Sequence, residues 1–377
     1  MEKKAERNSG IELVKVIAIF LIVVAHVIQT WESRNEYISA VDYLIDLKHV
    51  TTDLQTFAVV ILRYSGAFGN SIFFICSAWF LLDSRKANRG KMLVMMLNMW
   101  SISIMMLVVT VLVKGGDIHY KLVVKSLFPF LCGANWYVGC YLLFYALHPM
   151  LNNCIASLNQ AQLLRAATLL GVLYCGCNYV HDSFYSSALI LWVAVYFIMA
   201  YAKKYLPGLC DSIKINIVFL LLGLTGNFLM VLFTNILGGA YIRFLDGKLL
   251  FWMKNCSPFL LLAAFALFNL GRNLHFQNRL INYISSLSLL IYIIHENVLV
   301  RTYLRPYLCQ RIYEVFGHDY ILCIVLLFAA AFFLVSLVVS IIYRQTIQRY
   351  IHHITPMLLQ RIKNIYKKYE SFVFKVH

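Results

Sequence analysis

Residues 11–30 read IELVKVIAIFLIVVAHVIQT, and this stretch decides the class of fold. Its charged residues, Glu12 and Lys15, stand near its start, His26 stands near its end, and the run between Lys15 and His26 is wholly apolar. A helix needs about 20 mainly apolar residues to cross a bilayer. The stretch therefore predicts a membrane-spanning helix that carries a cation toward one end and an imidazole toward the other.

The composition of the whole chain agrees with a membrane protein. Of the 377 residues, 61% are hydrophobic and 13% are charged, whereas soluble domains are about half apolar and a quarter charged. The net charge of +16 would suggest nucleic-acid binding in a soluble protein. Here the Lys and Arg residues lie mostly between apolar segments, where they indicate topology. We therefore expect the lipid bilayer as a partner and no nucleic acid.

Apolar segments of spanning character recur along the chain. They predict an all-α fold, a polytopic transmembrane helix bundle of about ten helices. The sequence shows no internal repeat. We expect a membrane domain over 1–343 and a basic tail over 344–377, whose mixture of apolar and basic residues is typical of an amphipathic helix on a membrane surface. The ten candidate segments are 11–30, 58–82, 92–113, 136–156, 166–181, 186–202, 214–238, 253–271, 281–300 and 321–343.

The distribution of basic residues predicts the orientation. Alternate links are basic, while the opposite loop 31–57 carries more acidic than basic residues. With an even number of helices, the positive-inside rule places both termini in the cytoplasm. Three basic residues are exceptions to the rule, because this topology places them outside: Arg301, Arg305 and Arg311. The basic residues of the inner links are Lys3, Lys4, Arg7, Lys15, Arg85, Lys86, Arg89, Lys91, Arg165, Lys203, Lys204, Arg272 and Arg279.

Lys15 and His26 are the first candidates for chemistry. Eleven residues separate them, which is close to three helical turns, so both lie on one face, roughly 16 Å apart along the axis. A cation at the cytoplasmic end could bind a phosphate, and a neutral imidazole farther in could take a proton from a hydroxyl. The structural alternatives are that Lys15 snorkels to the surface and that His26 bonds a neighbouring helix.

Three more ionisable residues are weaker candidates for binding an acceptor. Arg63 lies in the second apolar segment, and His295 and Glu296 end the ninth. Ionisable residues at membrane depth are costly and often functional. His295 and Glu296 could orient a base or bind a sugar, but taken alone they are better explained as a polar helix end. The basic link with Arg85 and Arg89 is either a topology signal or a phosphate-binding patch.

The sequence offers no recognisable metal site or soluble-hydrolase motif. It lacks Gly-x-Ser-x-Gly, a Walker sequence and His-Glu-x-x-His. Its ten cysteines include no Cys-x-x-Cys pair and no zinc-like spacing. We expect no bound metal and read the cysteines as small apolar side chains.

Four segments, taken in order, resemble the acyltransferase-3 family of membrane acyltransferases, which acylate bacterial surface polysaccharides and related glycans. Lys15 and His26 resemble the opening pattern of a basic residue followed eleven positions later by His. Residues 73–78, FFICSA, resemble its "FF-x-x-SG" segment. Residues 136–149 resemble its "WF…Y…P" helix, and 292–295 its "Y-x-x-H" helix.

The resemblance implies an activity and roles for particular residues. The implied donor is a cytoplasmic acyl-CoA, with acetyl-CoA expected, and the implied acceptor is a hydroxyl of a surface polysaccharide or lipid-linked glycan at the bacterial cytoplasmic membrane. His26 would be the general base, and Lys15 would bind the CoA phosphates with help from Arg85 and Arg89. Lys15 stands where the family usually has Arg, so the charge is kept but the bidentate fork is lost.

A second class of function also fits ten helices and intramembrane charges. A transporter or flippase of lipid-linked sugars would have internal repeats or broken helices in corresponding halves, and the sequence has no such repeat. A glycan polymerase is a third option, but the chain has no large outer loop to support it. Acyl transfer from labelled acetyl-CoA separates the acyltransferase from both alternatives.

Overall fold

The computed structural model describes residues 7–32, 53–180, 188–238, 242, 245 and 248–373. Lys3, Lys4 and most of the acidic loop 31–57 lie outside the described residues. Within the described part the chain is helical, with no strand. The helices are α1 (Ser9–Glu32), α2 (Leu54–Leu62), α3 (Ser65–Leu81), α4 (Arg89–Lys114), α5 (Tyr120–Leu127), α6 (Trp136–Ser157), α7 (Gln160–Val180), α8 (Ala188–Tyr205), α9 (Pro207–Asp211), α10 (Ile213–Gly238), α11 (Leu249–Trp252), α12 (Pro258–Asn273), α13 (Arg279–Ser285), α14 (Ser288–His295), a π-helical turn (Val300–Leu304), α15 (Arg305–Phe316), α16 (Ile321–Gln345) and α17 (Ile347–Val373).

The prediction of a polytopic helical bundle is confirmed. Among the described residues, 7 helical segments are long and apolar enough to cross a membrane. They are α1, α2 with α3, α4, α7, α8, α10 and α16. The other three predicted segments differ: α6 has 22 residues but is not among the helices apolar enough to span, α12 has 16 residues, and 281–300 is not a single helix.

Small residues bring α1 and α3 into close contact at the centre of the bundle. A Cβ atom on Gly69 would lie 2.5 Å from the Ala18 carbonyl oxygen, and one on Gly66 would lie 2.6 Å from the Ala25 Cβ. The Ser65 hydroxyl donates a hydrogen bond of 2.9 Å to the Leu21 carbonyl. Such glycine contacts let helix backbones approach in a membrane, and here they place the start of α3 beside α1 between Ala18 and Ala25, next to His26.

The links predicted to face the cytoplasm meet at one end of this bundle. The Asn8 side chain donates a hydrogen bond of 2.8 Å to the Arg272 carbonyl, and the Ser9 hydroxyl donates one of 2.8 Å to Asn282. Lys203 forms an ion pair of 2.7 Å with Asp83. We call this end of the bundle the Lys15 end. That it faces the cytoplasm remains a prediction.

The predicted segment 281–300 breaks on both sides of the helix that ends at His295. Helix α13 ends at Ser285, α14 runs over Ser288–His295, and a π-helical turn follows at Val300–Leu304. The sequence gives no helix-breaking proline or glycine over 281–300 to signal this. The segment is instead shaped by its packing against α1, α4 and α16.

Candidate active site

The structure brings His26, His295 and Glu296 together at the end of α14. The His26 Nδ1 atom lies 3.0 Å from the His295 Nε2 atom and 3.1 Å from the Glu296 Oε2 atom. The His295 and Glu296 residues are 0% and 5% exposed. Sequence reasoning selected all three residues, but it did not predict that they form one cluster, because 269 positions separate His26 from His295.

The hydrogen bonds determine which nitrogen of His26 carries a proton. His295 Nδ1 lies 2.7 Å from the Ile291 carbonyl oxygen, which can only accept, so His295 Nδ1 is the protonated atom and its Nε2 is an acceptor. His26 Nδ1 therefore faces two acceptors, His295 Nε2 and the Glu296 carboxylate, and must itself donate. In the neutral ring this leaves the His26 Nε2 atom unprotonated, as a general base requires.

Two arginines complete the cluster. Glu296 Oε1 pairs with Arg301 Nη1 at 3.2 Å, and Glu296 Oε2 pairs with Arg305 Nη1 at 3.0 Å. The Arg305 side chain is 4% exposed and that of Arg301 is 34% exposed. This contact explains the position of Arg301 and Arg305, two of the three arginines that do not fit the predicted topology, because a buried carboxylate needs charged partners.

The π-helical turn and the break after α14 make this pairing possible. In a regular α-helix, residues five and nine positions after Glu296 would point about 140° and 180° away from it. The chain leaves the α-helix after His295 and forms the π turn at Val300–Leu304, so both guanidinium groups reach the same carboxylate. Asn135 also fixes this segment, since its Nδ2 donates a hydrogen bond of 3.3 Å to the Glu296 carbonyl.

A cavity of about 430 Å³ lies against His26. We call it the His26 cavity. The residues around it lie toward the end of the bundle away from Lys15. They belong to the last turns of α1, the first turns of α3, the end of α7, the start of α8 and the segment before α12. Arg63 lies on its wall together with polar residues that suit a hydroxylated ligand, namely Gln29, Asn70, Asn178, Lys254 and Asn255.

A second cavity, of about 510 Å³, lies at the Lys15 end. We call it the Lys15 cavity. Arg7, Lys15 and Lys91 contribute to its wall, and none of the described residues that line it is acidic. Lys15 forms an ion pair of 2.9 Å with Glu12, and Glu12 also accepts a hydrogen bond from Ser285. The excess of positive charge at this end would attract an anionic ligand.

Asn70 lies on the walls of both cavities. It stands on α3, is 8% exposed, and its Oδ1 atom has no hydrogen-bond partner in the described part of the chain. A buried carboxamide oxygen without a partner costs free energy, unless a ligand supplies the missing contact. Sequence reasoning did not select Asn70, because nothing in its neighbourhood distinguishes it from a packing residue.

Arg85 and Arg89 occupy a different place from Lys91. Arg85 lies in the link between α3 and α4, and Arg89 is the first residue of α4; both are exposed and neither belongs to the described wall of the Lys15 cavity. Lys91, in the first turn of α4, does line it. The role predicted for Arg85 and Arg89 in binding phosphate is not tested by this geometry.

The cluster also has the residue types of a metal site. His26, His295 and Glu296 each offer one ligand atom within 4.8 Å of the others. However, both carboxylate oxygens of Glu296 already accept from a guanidinium group. A divalent ion placed there would meet two fixed positive charges, so the local charge favours a proton-handling cluster over a metal site.

Comparison with known proteins identifies the family. No curated protein and no solved structure matches the chain significantly. A family model described as an acyltransferase domain matches residues 8–345, which include His26, Asn70, Glu296 and every described lining residue of the two cavities except Arg7, and leave α17 outside. Since this match spans nearly the whole chain, the protein is a member of the acyltransferase-3 family of membrane acyltransferases.

Proposed function

We propose that this protein transfers an acyl group, with acetyl expected, from acyl-CoA to a hydroxyl of a surface polysaccharide or lipid-linked glycan. The observation that carries the proposal is the state of His26. Its Nδ1 proton is held by Glu296 and His295, its Nε2 atom is left as a base, and the residue forms part of a cavity wall. A transporter needs no such oriented base, and the family match gives the transporter no support.

The proposed reaction begins with the acceptor in the His26 cavity. His26 Nε2 removes the proton of an acceptor hydroxyl as its oxygen attacks the thioester carbonyl carbon. Glu296 stabilises the imidazolium that forms, through the Nδ1–H contact. The tetrahedral intermediate then loses the CoA sulfur as the carbon–sulfur bond breaks. The proton passes from His26 to that sulfur, giving an ester and free CoA.

The Lys15 cavity is the proposed site of the donor. Acyl-CoA carries several phosphate charges at one end and the thioester at the end of a long flexible arm. Arg7, Lys15 and Lys91 on the cavity wall would attract the phosphates, and the arm would extend along α1 toward Asn70. Arg85 and Arg89, which are exposed just before and at the start of α4, would assist the approach of the anion from solution.

The arrangement of the two cavities suggests a route for the acyl group. The donor and the acceptor would enter from opposite ends of the bundle and meet near Asn70, which both cavities share. The acyl group would then pass directly between substrates. With the Lys15 end in the cytoplasm, the acceptor would be modified on the outer side of a bacterial cytoplasmic membrane.

The proposal is tested with purified protein, radiolabelled acetyl-CoA and a panel of glycans. The wild-type protein should transfer label to at least one glycan, and His26→Ala should reduce that rate by about 1,000-fold, within the range for general-base catalysis. His275→Ala is the matched control, because His275 is exposed in the link between α12 and α13 and should retain full activity. Wild-type activity in His26→Ala would contradict the proposed mechanism.

A further inference from the structure

Helix α17 carries an apolar face along its length. Plotted at about 100° per residue, a run of large apolar residues falls within one arc of the helix, and the only polar residues inside that arc are Gln348 and Thr355. The described apolar residues of this face are Ile347, Ile351, Ile354, Leu358, Leu359, Ile362, Ile365, Tyr366 and Tyr369.

The bundle covers the first half of this face. Ile351 is 4% exposed and Thr355 is 6% exposed. Leu359 lies against Gly90 at the start of α4, and α17 packs on both α4 and α16. The helix is therefore fixed to the Lys15 end of the protein through its first three turns.

The second half of the same face is not covered by the described part of the chain. Ile362, Ile365, Tyr366 and Tyr369 are between 52% and 69% exposed. Leaving so many large side chains in water on one face is unusual. Because this surface continues a face that is already buried, it requires a partner that lies in the same plane as the end of the bundle.

Basic residues flank the uncovered face on both edges. Arg361 stands on one edge and Lys363 on the other, and Lys367 lies one turn after Lys363, farther round the helix from the apolar face. All three are exposed. No acidic residue occurs from 361 to 369. The surface thus combines apolar side chains, two tyrosines and positive charge, which is the composition of a helix that lies in an anionic membrane interface.

We propose that residues 361–369 of α17 bind anionic phospholipid headgroups, with Ile362, Ile365 and Tyr369 inserted at the level of the acyl chains. The position of the helix supports this partner, because α17 begins directly after α16, a spanning helix that ends at Gln345. A helix that starts at the membrane boundary meets lipid before any soluble protein. Each basic residue near an anionic surface strengthens such binding about fivefold.

This inference is independent of the reaction proposed above, and hydrogen exchange of the full-length protein tests it. The protein is placed in nanodiscs of phosphatidylcholine alone or of phosphatidylcholine with phosphatidylglycerol, and exchange of residues 360–373 is followed by mass spectrometry. An amphipathic segment that has no partner frays in water. Exchange should therefore be about tenfold slower or more in the anionic discs, and high salt should remove the difference.

Two triple variants decide the result. In the variant R361Q with K363Q and K367Q, residues 360–373 should exchange equally fast in both kinds of nanodisc. The control variant, K204Q with K214Q and R279Q, removes the same charge from exposed residues elsewhere and should keep the lipid dependence. Equal exchange of the wild-type segment in both lipids would overturn the proposal, as would protection that survives the removal of the three charges.

Discussion

At the scale of single residues, the proposed mechanism depends on which nitrogen of the His26 ring is protonated. His26 has a proton on Nδ1 because two acceptors face that atom, and one of them, His295, is in turn fixed by the Ile291 carbonyl. The same ring without these partners would exchange its proton between both nitrogens. In the proposed mechanism, two further residues, the buried His295 and Glu296, orient this single base.

Asn70 should act on the carbonyl of the donor. Its Oδ1 is uncommitted, so the carboxamide can turn and present its Nδ2–H to the oxyanion that develops during transfer. Asn70→Leu keeps the size of the side chain but removes its hydrogen-bond donor. We expect this substitution to lower kcat by about 100-fold with little change in KM for acyl-CoA. Steady-state kinetics of the purified protein measure both constants.

Asn227 provides the control for this substitution. It is buried on α10, bonds to Ser257 and lies outside the described walls of both cavities. Asn227→Leu should retain the kcat of the wild-type protein per folded molecule. If Asn70→Leu changed kcat no more than Asn227→Leu does, Asn70 would be a packing residue only.

Lys15 should act on the binding of the donor and not on the chemical step. We expect Lys15→Ala to raise KM for acyl-CoA about tenfold while kcat changes little, because the phosphates stay remote from the reacting carbon. Lys15→Arg should keep the charge and remain near the wild-type KM. Dephosphorylated CoA analogues should lose this dependence on Lys15, and a similar loss of kcat in both variants would contradict the assignment.

Sequence reasoning reached His26, Lys15, Arg63, His295 and Glu296, because each is an ionisable residue in or beside an apolar segment. It did not reach Asn70, which is neutral. It also could not assign Arg301 and Arg305, whose distance from Glu296 matches no regular helix. The sequence did not predict the roles of Asn70, Arg301 and Arg305 for one reason: their contacts depend on how the helices pack and where they break.

At the scale of elements, the irregular segment after α14 is the important one. A regular helix over 281–300 would have directed Arg301 and Arg305 away from Glu296. The break and the π-helical turn at Val300–Leu304 instead direct both toward it. π-Helical turns inside helices are frequent at functional sites, and here the turn supplies the counter-charges that a buried carboxylate requires.

Three arginines of this region should differ in their effect on stability. Arg305→Met removes a fully buried partner of Glu296 and should destabilise the protein by about 3–5 kcal/mol, with loss of acyl transfer. Arg301→Met removes a partly exposed partner and should cost about 1 kcal/mol. Thermal unfolding in detergent measures the order of these effects.

Arg311→Met is the matched control in this series. Arg311 pairs with Glu314 on the surface, with both side chains largely exposed, and its loss should change neither stability nor activity. Equal destabilisation by the Arg305 and Arg311 variants would show that the Glu296 cluster does not stabilise this segment.

At the scale of the whole molecule, apolar length and charge distribution predicted the class of fold. The long apolar helices such as α1 and α16 were clear from the sequence, because a bilayer imposes length and hydrophobicity on each span. Segments with fewer apolar residues were less clear. Helix α12, for example, is shorter than its predicted bounds because Pro258 begins it and Ser257 caps it.

The predicted orientation is open to a direct test with native cysteines. Cys132 lies before α6 at the end of the bundle away from Lys15, and Cys154 lies near the end of α6 at the Lys15 end; both are exposed. With single-cysteine variants in intact cells, a membrane-impermeant thiol reagent should label Cys132. Cys154 should be labelled only after permeabilisation, and the reverse pattern would invert the topology.

The central claim is that His26 acts as the general base for direct acyl transfer between substrates that enter from opposite ends of the bundle. The most direct measurement uses sealed proteoliposomes of known orientation, with labelled acetyl-CoA on the side of the N-terminus and the glycan acceptor on the other. The account predicts labelled glycan with the wild-type protein and none above background with His26→Ala. Product formed at the wild-type rate by His26→Ala, or formed only when donor and acceptor share one side, would contradict it.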